Sequence, residues 1–329
     1  HASSPHRLIA PLLPRPMRCA FCVVLCALCP HRSHASSPHR LIALSPHRSH
    51  APSIFFRKFA LNYIHMTTLK IALLQPDIHW KGPEKNRAMF DELLAAHAGK
   101  ADVFVLPEMF TTGFVSDPAS IAEHPYGPTF QWMKNAAARF GCAIAGSIVI
   151  SENNNYYNRF FWVNPDGSHY SYDKRHLFSL GNENIEYTPG EKHVIFEYKG
   201  WKIKPLICYD LRFPVWARNS YNQGEFGYDI LLLTANWPAS RKLHWRQLIL
   251  ARAIENQCYA VGVNRRGKDG NGWQYAGGST LATPDGKWLP EREDGDSDVI
   301  FVELSKTELT QYRRAFPFAQ DWDGFGLTP

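Results

Sequence analysis

Short apolar runs, most of them ended by proline or glycine, recur along the chain from residue 66 onward. Three runs predict strands that are covered on both faces, because they are apolar almost throughout and too short for typical helices: 70–76, 101–110 and 142–150. Segments 83–100 and 129–141 place apolar side chains at helical spacing and have a glycine at or near their ends, so they predict helices between these strands. This alternation indicates an α/β domain.

After residue 150 the pattern changes to hairpins and longer strand–helix units. The turn sequences Asn-Pro-Asp-Gly at 164–167 and Lys-Gly at 199–200 each separate two apolar runs and predict β-hairpins. Further strands are predicted at 228–238, 258–267 and 298–304, helices at 213–222 and 241–257, and a last hairpin at 277–289. No linker divides this stretch, so we interpret 66–329 as one domain, a four-layer α-β-β-α sandwich.

Residues 1–65 differ from the rest of the chain. HASSPHRLIA occurs at 1–10 and again at 34–43, and the segment has eight Lys or Arg but no Asp or Glu. A Met-Thr-Thr-Leu-Lys sequence starts at Met66, directly before the first predicted strand. We interpret 1–65 as a disordered, non-domain extension that arises from upstream sequence translated in frame. A targeting segment is the main alternative, since transit peptides are rich in Arg and Ser and poor in acids.

If Met66 begins the folded protein, a chain of residues 66–329 should have the activity and thermal stability of the full chain. The kcat/KM and melting temperature of the two proteins provide the measurement. A melting temperature several degrees lower for the short chain would contradict the prediction, because it would mean that the extension stabilises the domain.

Composition restricts the possible partners. The net charge is +6, but the eight positive charges of residues 1–65 exceed that total, so the remainder carries a net charge of −2. This weakly acidic body gives no reason to expect nucleic acid as a partner, and we expect no membrane partner either. After residue 65 the cysteines are Cys142, Cys208 and Cys258. Three cysteines do not make a disulfide framework, which predicts a reduced, cytoplasmic protein.

Three side chains with potential reactivity follow predicted strands: Glu108, Lys174 and Cys208. Rigid strands often end where loops form a pocket, and catalytic groups are frequently found there. Each residue alone is more often a turn residue, a surface charge or a core thiol. Together they supply a nucleophile, a base for its proton and a cation for developing negative charge, without a metal or cofactor. Cys142 and Cys258 begin apolar strands and are predicted to be core residues.

The sequences around these residues resemble the motifs of the carbon–nitrogen hydrolase (nitrilase) superfamily. LPEMFTTGF, YDKRHLF and ICYDLRFP are similar to its glutamate, lysine and cysteine motifs and occur in the same order, and the resemblance covers roughly residues 69–315. It implies the αββα sandwich of that family, a Glu-Lys-Cys triad formed by Glu108, Lys174 and Cys208, no cofactor, and a homo-oligomer, here expected to be a homodimer.

The resemblance also implies a second catalytic glutamate between the lysine and cysteine motifs. In ENIEYTPG (183–190), Glu183 has the family spacing of seven residues before Gly190. Glu186 remains the alternative at this point.

The implied mechanism is covalent. Glu108 removes the thiol proton of Cys208, and the thiolate attacks the substrate carbon. Lys174 and the backbone N–H of Tyr209 stabilise the oxyanion. Ammonia leaves, and water directed by Glu108 and Glu183 then hydrolyses the thioester.

Four segments together, PEMFTTGF, YDKRHLF, CYDLRFP and ANWPASR, are most similar to the omega-amidase group. That group hydrolyses the terminal amide of 2-oxo dicarboxylic monoamides such as 2-oxoglutaramate, so the expected partners are a small amide and water. The substrate carries a carboxylate, and Arg241, on the loop after the strand at 228–238, is our candidate for binding it. Trp237 and Phe114 are expected to line the carbon chain.

Three alternatives stay open. Arg212 is a second candidate for the carboxylate, although we predict that it pairs with Asp210. The substrate could be another small amide, a carbamoyl-amine or a nitrile, but CYDLRFP differs from the tryptophan-containing cysteine motif of true nitrilases. A non-catalytic relative that binds ligands is less compatible with the presence of all three triad residues.

Overall fold

The structure, a computed structural model, describes residues 68–290 and 297–326. The predicted extension 1–65 and the domain start at Met66 lie outside these ranges. Within them the strands are β1 (Thr68–Leu74), β2 (Val103–Val105), β3 (Ala143–Glu152), β4 (Asn155–Val163), β5 (His169–Asp173), β6 (Phe196–Tyr198), β7 (Trp201–Ile207), β8 (Tyr221–Asn222), β9 (Glu225–Phe226), β10 (Ile230–Ala235), β11 (Tyr259–Asn264), β12 (Arg266–Lys268), β13 (Gln274–Ala276), β14 (Thr280–Ala282), β15 (Trp288–Leu289) and β16 (Val299–Ser305). The α-helices are α1 (Pro83–Ala96), α2 (Pro128–Phe140), α3 (Glu183–Glu186), α4 (Pro214–Ala217), α5 (Lys242–Glu255) and α6 (Lys306–Ala315). Short 3₁₀ helices are formed by Ser179–Gly181, Cys208–Arg212, Ala239–Arg241 and Phe318–Asp321.

Two six-stranded sheets form the centre of the described fold. The first has the order β16-β1-β2-β3-β4-β5 and the second the order β15-β14-β11-β10-β7-β6. β10 lies between β7 and β11 and is parallel to both. Because the carboxyl ends of neighbouring parallel strands meet at one edge of a sheet, β7 and β10 bring Cys208 and Asn236, the residues that follow them, close together.

The side chains of β1 show how the layers are stacked, since successive side chains of a strand point to opposite faces. Three alternate residues belong to a core shared with the second sheet: Leu69, Ile71 and Leu73. Two intervening residues belong to a core shared with α1 and α2: Ala72 and Leu74. The first sheet is therefore covered by helices on one face and by the second sheet on the other.

Helix α5 covers the second sheet. A Cβ at Gly262 of β11 would lie 2.5 Å from Ile249 and 2.7 Å from Trp245, so only glycine allows the helix to approach this closely. The layers are thus helices, sheet, sheet and helix. This arrangement confirms the predicted four-layer α-β-β-α sandwich. Within the described ranges, no helix combines the length and apolarity needed to cross a bilayer.

The helix predicted at 213–222 is wrong beyond its first turn, because α4 ends at Ala217. The backbone N–H of Asn219 donates to Asn256 Oδ1 at 2.8 Å, and its side chain donates to the carbonyl of Tyr228 at 2.9 Å. These buried hydrogen bonds to distant segments hold the backbone outside the helix. They outweigh a helical propensity that is weak by comparison.

Helix α6 and the hairpin of β12 and β13 are among the elements that were not predicted. Ser305 caps α6 by accepting the N–H of Glu308 at 3.2 Å, so the sequence SKTE at 305–308 was a usable capping signal. The hairpin of β12 and β13 turns at Asp269, which accepts the N–H groups of Asn271 and Trp273 at 2.9 Å each. This hairpin places aromatic side chains beside the candidate site.

Candidate active site

Cys208 lies at a sharp transition from strand to helix. It follows β7, begins the 3₁₀ helix Cys208–Arg212 and has φ +44°, a left-handed conformation that is uncommon for a residue with a side chain. Its Sγ lies 3.9 Å from the carbonyl oxygen of Asn236. Cys142 and Cys258 are buried as predicted. The strained backbone at Cys208 is typical of a functional position that the surrounding structure maintains.

The carboxylate of Glu108 is completely buried and is held by donors from three elements. Its Oε1 accepts hydrogen bonds from Lys174 Nζ and Asn158 Nδ2, both at 2.8 Å. Its Oε2 accepts the backbone N–H of Asn236 at 2.8 Å, and the side chain of Asn236 donates to the Glu108 carbonyl at 2.7 Å. The orientation of the carboxylate is therefore determined by the fold and not by solvent.

The structure separates the two candidates for the second glutamate. Glu183 is fully buried, and its Oε2 lies 2.8 Å from Lys174 Nζ. Its Oε2 also accepts the N–H of Phe178 at 2.7 Å, and its Oε1 accepts Asn158 Nδ2 at 3.1 Å. Glu186, one turn further along α3, is exposed. Only Glu183 belongs to the buried cluster.

Burial and charge set the protonation of this cluster. Burial, followed by the nearby Glu108 carboxylate, raises the pKa of Cys208 well above its ordinary value, so the thiol is protonated at neutral pH. Burial opposes the charge of Lys174, but the carboxylates of Glu108 and Glu183 outweigh it and raise the pKa of this lysine. Burial also raises the pKa of Glu183, while Lys174 lowers it. A buried thiol in this environment needs a neighbouring base before it can attack.

Asp210 holds the lysine and cysteine motifs together. Its Oδ2 accepts the hydroxyl of Tyr172 at 2.7 Å and the N–H of Ile207 at 3.1 Å. Its Oδ1 accepts the N–H of His176 at 2.9 Å. The carboxylate is fully buried by these contacts. Tyr172 and His176 flank Lys174 in the sequence, and Ile207 directly precedes Cys208, so this network positions both residues.

The predicted pairing of Arg212 with Asp210 is wrong. The 3₁₀ turn directs Asp210 into the core, where its oxygens already have donors, and directs Arg212 toward a cavity. The guanidinium of Arg212 lies 4.7 Å from the ring centre of Trp237, and its Nη2 lies 3.3 Å from His244 Nδ1.

A cavity beside Cys208 opens to the protein surface and contains about 360 Å³ of empty space, part of which is open to solvent. Its lining is mainly aromatic, with two arginines and no acidic side chain: Phe114, Phe178, Cys208, Tyr209, Arg212, Asn236, Trp237, Pro238, Arg241, Trp273 and Tyr275. The guanidinium of Arg241 lies 5.5 Å from the ring centre of Phe178 and 5.3 Å from that of Trp273. Its Nη2 is buried without a hydrogen-bond partner in the described structure. An unpartnered cation in an aromatic cavity is suited to an anionic ligand.

The structure thus places Glu108, Lys174, Glu183 and Cys208 around one point. The four residues predicted to contact the substrate or its oxyanion all line the adjacent cavity: Phe114, Tyr209, Trp237 and Arg241. Sequence reasoning missed other residues of the site: Asn158, Asp210, Asn236, Trp273 and Tyr275. Asn236 follows a buried strand, a signal that could have identified it, whereas Asn158 lies within β4 and no local pattern marks it. Across the described residues, no group of three or more His, Cys, Asp or Glu is placed to hold a metal ion.

Comparison with known proteins places this site in context. The family model described as carbon-nitrogen hydrolase matches residues 70–314. The chain is 44% identical over 264 residues to the omega-amidase YafV of Escherichia coli K12, which covers 80% of this chain and all of that protein. It is 34% identical over 256 residues to the 2-oxoglutaramate amidase of Bacillus subtilis 168, which covers 76% of this chain and 96% of that protein.

A solved structure is similar to the described fold. The crystal structure of XC1258 from Xanthomonas campestris, a CN-hydrolase superfamily protein with an arsenic adduct in its active site, superposes with a TM-score of 0.77. The two sequences are 41% identical, and the match covers 79% of this chain and 99% of that one.

Proposed function

The chain belongs to the carbon–nitrogen hydrolase family, and from this premise we propose that it is an omega-amidase. In this proposal it releases ammonia from the terminal amide of a small carboxylate-bearing amide, with 2-oxoglutaramate or a similar 2-oxo acid monoamide as substrate. The observation that carries the proposal is the buried, unpartnered Nη2 of Arg241 in the cavity beside Cys208. The names of the relatives at 44% and 34% identity support it.

In the proposed acylation step, the Glu108 carboxylate accepts the thiol proton while Sγ of Cys208 attacks the amide carbon. The carbonyl electrons move to oxygen, where Lys174 Nζ and the backbone N–H of Tyr209 stabilise the negative charge. Glu108 then returns the proton to the amide nitrogen, the carbon–nitrogen bond breaks, and ammonia leaves behind a thioester. The high pKa of Cys208 is consistent with proton removal during attack rather than with a preformed thiolate.

In the proposed deacylation step, Glu108 accepts a proton from water, and the hydroxide attacks the thioester carbon. The carbon–sulfur bond breaks, sulfur regains the proton from Glu108, and the free acid leaves. Glu183 keeps Lys174 charged and in place, since it contacts Nζ through both carboxylate oxygens at 2.8 and 3.1 Å.

Ammonia release from a panel of substrates tests the proposal. The panel contains 2-oxoglutaramate, glutamine, a carbamoyl-amine and a simple nitrile. We expect the highest kcat/KM with 2-oxoglutaramate. Preference for the carbamoyl-amine would favour a different amidohydrolase of this family, and preference for the nitrile would favour a nitrilase.

Arg241→Lys is expected to weaken kcat/KM for 2-oxoglutaramate by about 1.5–3 kcal/mol, the scale of a hydrogen bond to a charged group. Lysine keeps the charge but cannot form the two parallel hydrogen bonds of a guanidinium with a carboxylate. Hydrolysis of a neutral amide of the same length should change much less. Steady-state kinetics with both substrates provides the measurement.

The matched control is Arg246→Lys, because the guanidinium of Arg246 lies 4.7 Å from the ring of Trp288 and does not line the cavity. This control should leave both substrates unaffected. An equal loss for the charged and the neutral substrate in Arg241→Lys would mean that Arg241 supports the loop and does not bind the carboxylate.

We also propose that the protein is a cytoplasmic homodimer. Val215, Leu243 and Ile254 are exposed apolar side chains on α4 and α5, and an interface there would remove their apolar surface from water. Light scattering at several concentrations tests the assembly, and a monomer at all of them would contradict it.

A further inference from the structure

Asn158 contacts every charged residue of the buried cluster. It lies in β4, and its side chain is almost completely buried. Its Nδ2 donates to Glu108 Oε1 at 2.8 Å and to Glu183 Oε1 at 3.1 Å, and its backbone carbonyl accepts the N–H of Lys174 at 3.0 Å. The neutral side-chain amide of Asn158 therefore bridges the two carboxylates, and the main-chain carbonyl of the same residue holds Lys174 in place.

The two bridged carboxylates form an unfavourable pair on their own. Glu108 and Glu183 share one cation, Lys174, so a fully ionised cluster has an excess negative charge on two fully buried carboxylates. Two carboxylates in such a site tend to share a proton, which raises the pKa of one of them. An amide NH₂ has two hydrogens and can donate one to each carboxylate, which favours the ionised form of both.

The orientation of the Asn158 amide follows from its neighbours. The reversed amide would place Oδ1 against two carboxylate oxygens, so the nitrogen must face them. Oδ1 is left buried without a partner in the described structure. A buried carbonyl without a donor lowers stability. Stability therefore does not explain an asparagine here, whereas donation to the carboxylates does.

We propose that Asn158 is a positioning residue that keeps Glu108 and Glu183 ionised and separated by donating one hydrogen to each. It thereby ensures that Glu108 enters each catalytic cycle as a base rather than as half of a shared carboxylic acid pair. The inference rests on the proposed function, because the base role of Glu108 belongs to it.

Other titratable groups face the same cluster. Cys208 lies on one side, and burial together with the Glu108 charge raises its pKa, which keeps the thiol protonated. The phenols of Tyr187 and Tyr275 lie near Glu183 and Glu108, and burial first, then nearby carboxylates, raise the pKa of both. Tyr187 donates to the carbonyl of Val115 at 2.7 Å. Since these groups are neutral around pH 7, an acid limb in the activity profile reports the carboxylates.

Two variants test the role of Asn158. Asn158→Leu removes both hydrogen bonds, and the isosteric Asn158→Asp replaces the NH₂ by a group that donates at most one hydrogen and ionises. In both we expect kcat/KM for the amide substrate to fall by up to about 10²-fold at pH 7, since a small misplacement of a catalytic group can cost that much. The acid limb of the pH profile should move upward by about 1 pH unit or more, because loss of the donor raises the carboxylate pKa. The activity of both variants should partly recover at pH values above the shifted acid limb.

Asn219→Leu is the matched control. Asn219 is also a buried asparagine. Its hydrogen bonds go to backbone groups of Tyr228 and Asn256 and to the side chain of Asn256, and none of them joins a carboxylate. Its loss should lower the melting temperature without moving the acid limb. A second readout needs no amide substrate: the pH dependence of Cys208 alkylation by iodoacetamide, followed by mass spectrometry, should shift upward in the same way.

The possible outcomes distinguish failure of the proposed amidase activity from failure of the role assigned to Asn158. If the wild type hydrolyses no amide of the panel, the proposed function fails, and the alkylation profile still tests Asn158. If the wild type is active and both Asn158 variants lose activity equally at all pH values, Asn158 has only a structural role and the inference is overturned. A shift of the same size in Asn219→Leu would also overturn it.

Discussion

Cys208→Ala is expected to abolish ammonia release, with a loss on the order of 10⁴-fold or more, as in other enzymes that lose their covalent nucleophile. Alanine has no nucleophilic atom, so neither the thioester nor its hydrolysis can follow. The fold should survive, since the change removes one atom at the edge of a cavity and alanine tolerates the φ of +44° about as well as cysteine does. Ammonia release and the melting temperature provide the measurements.

Labelling gives a sharper form of this test. Among the cysteines after residue 65, an amide-derived electrophile should label only Cys208 in the wild type and none in Cys208→Ala. Cys142→Ala is the control, because Cys142 is a buried thiol whose pKa is raised to about 11 by burial and by Asp102. The Cys142→Ala variant should keep both the label on Cys208 and the amidase activity. Residual amide hydrolysis in Cys208→Ala near the wild-type level would exclude the covalent mechanism.

Glu108→Gln should reduce kcat/KM by roughly 10²-fold or more, the usual contribution of a positioned acid–base group. Glutamine has nearly the same shape but cannot accept the thiol proton. It also cannot reproduce the contacts, because Glu108 accepts from donors on both oxygens and the amide nitrogen of glutamine would face one of them. We therefore expect a modest decrease in melting temperature together with the loss of activity.

The control for this variant is Glu186→Gln. Glu186 is an exposed glutamate of α3, so its replacement should change neither kcat/KM nor the melting temperature. A folded Glu108→Gln protein with near-normal turnover would remove Glu108 from the mechanism. Loss of activity at pH 7 with full recovery at high pH would instead indicate that another group replaces it as base.

Local sequence patterns were sufficient to predict features that depend only on neighbouring residues. The strand β7 and the polar turn after it can be recognised from their own residues, and so can the position of Cys208 between them. The same holds for Glu108 after a short apolar run that ends in proline, and for Lys174 after a hairpin strand. Hydrophobic runs of strand length also predicted most strands of the two sheets, since a buried strand must be apolar whatever its neighbours are.

Other features depended on contacts that no local pattern contains. Whether Glu183 or Glu186 joins the cluster is decided by which face of a single helical turn meets Lys174. The direction of Arg212 is decided by Asp210, whose oxygens are occupied by groups from distant segments. The helix predicted at 213–222 ended early for a similar reason, because buried hydrogen bonds of Asn219 outweighed its propensity.

The sequence by itself therefore determined the layers of the fold, the candidate nucleophile, its base and its cation, because strand burial and the turns that follow strands are properties of neighbouring residues. Only the tertiary structure decided how these groups are held. Asn236 fixes Glu108 across 128 positions of the chain, and Asn158 bridges Glu108 and Glu183 across 50 and 25 positions. Asn236 and Glu108 meet because the two sheets pack face to face, whereas Asn158 and Glu108 meet because β4 and β2 belong to the same sheet. Both kinds of contact depend on distance in space and not on spacing in sequence.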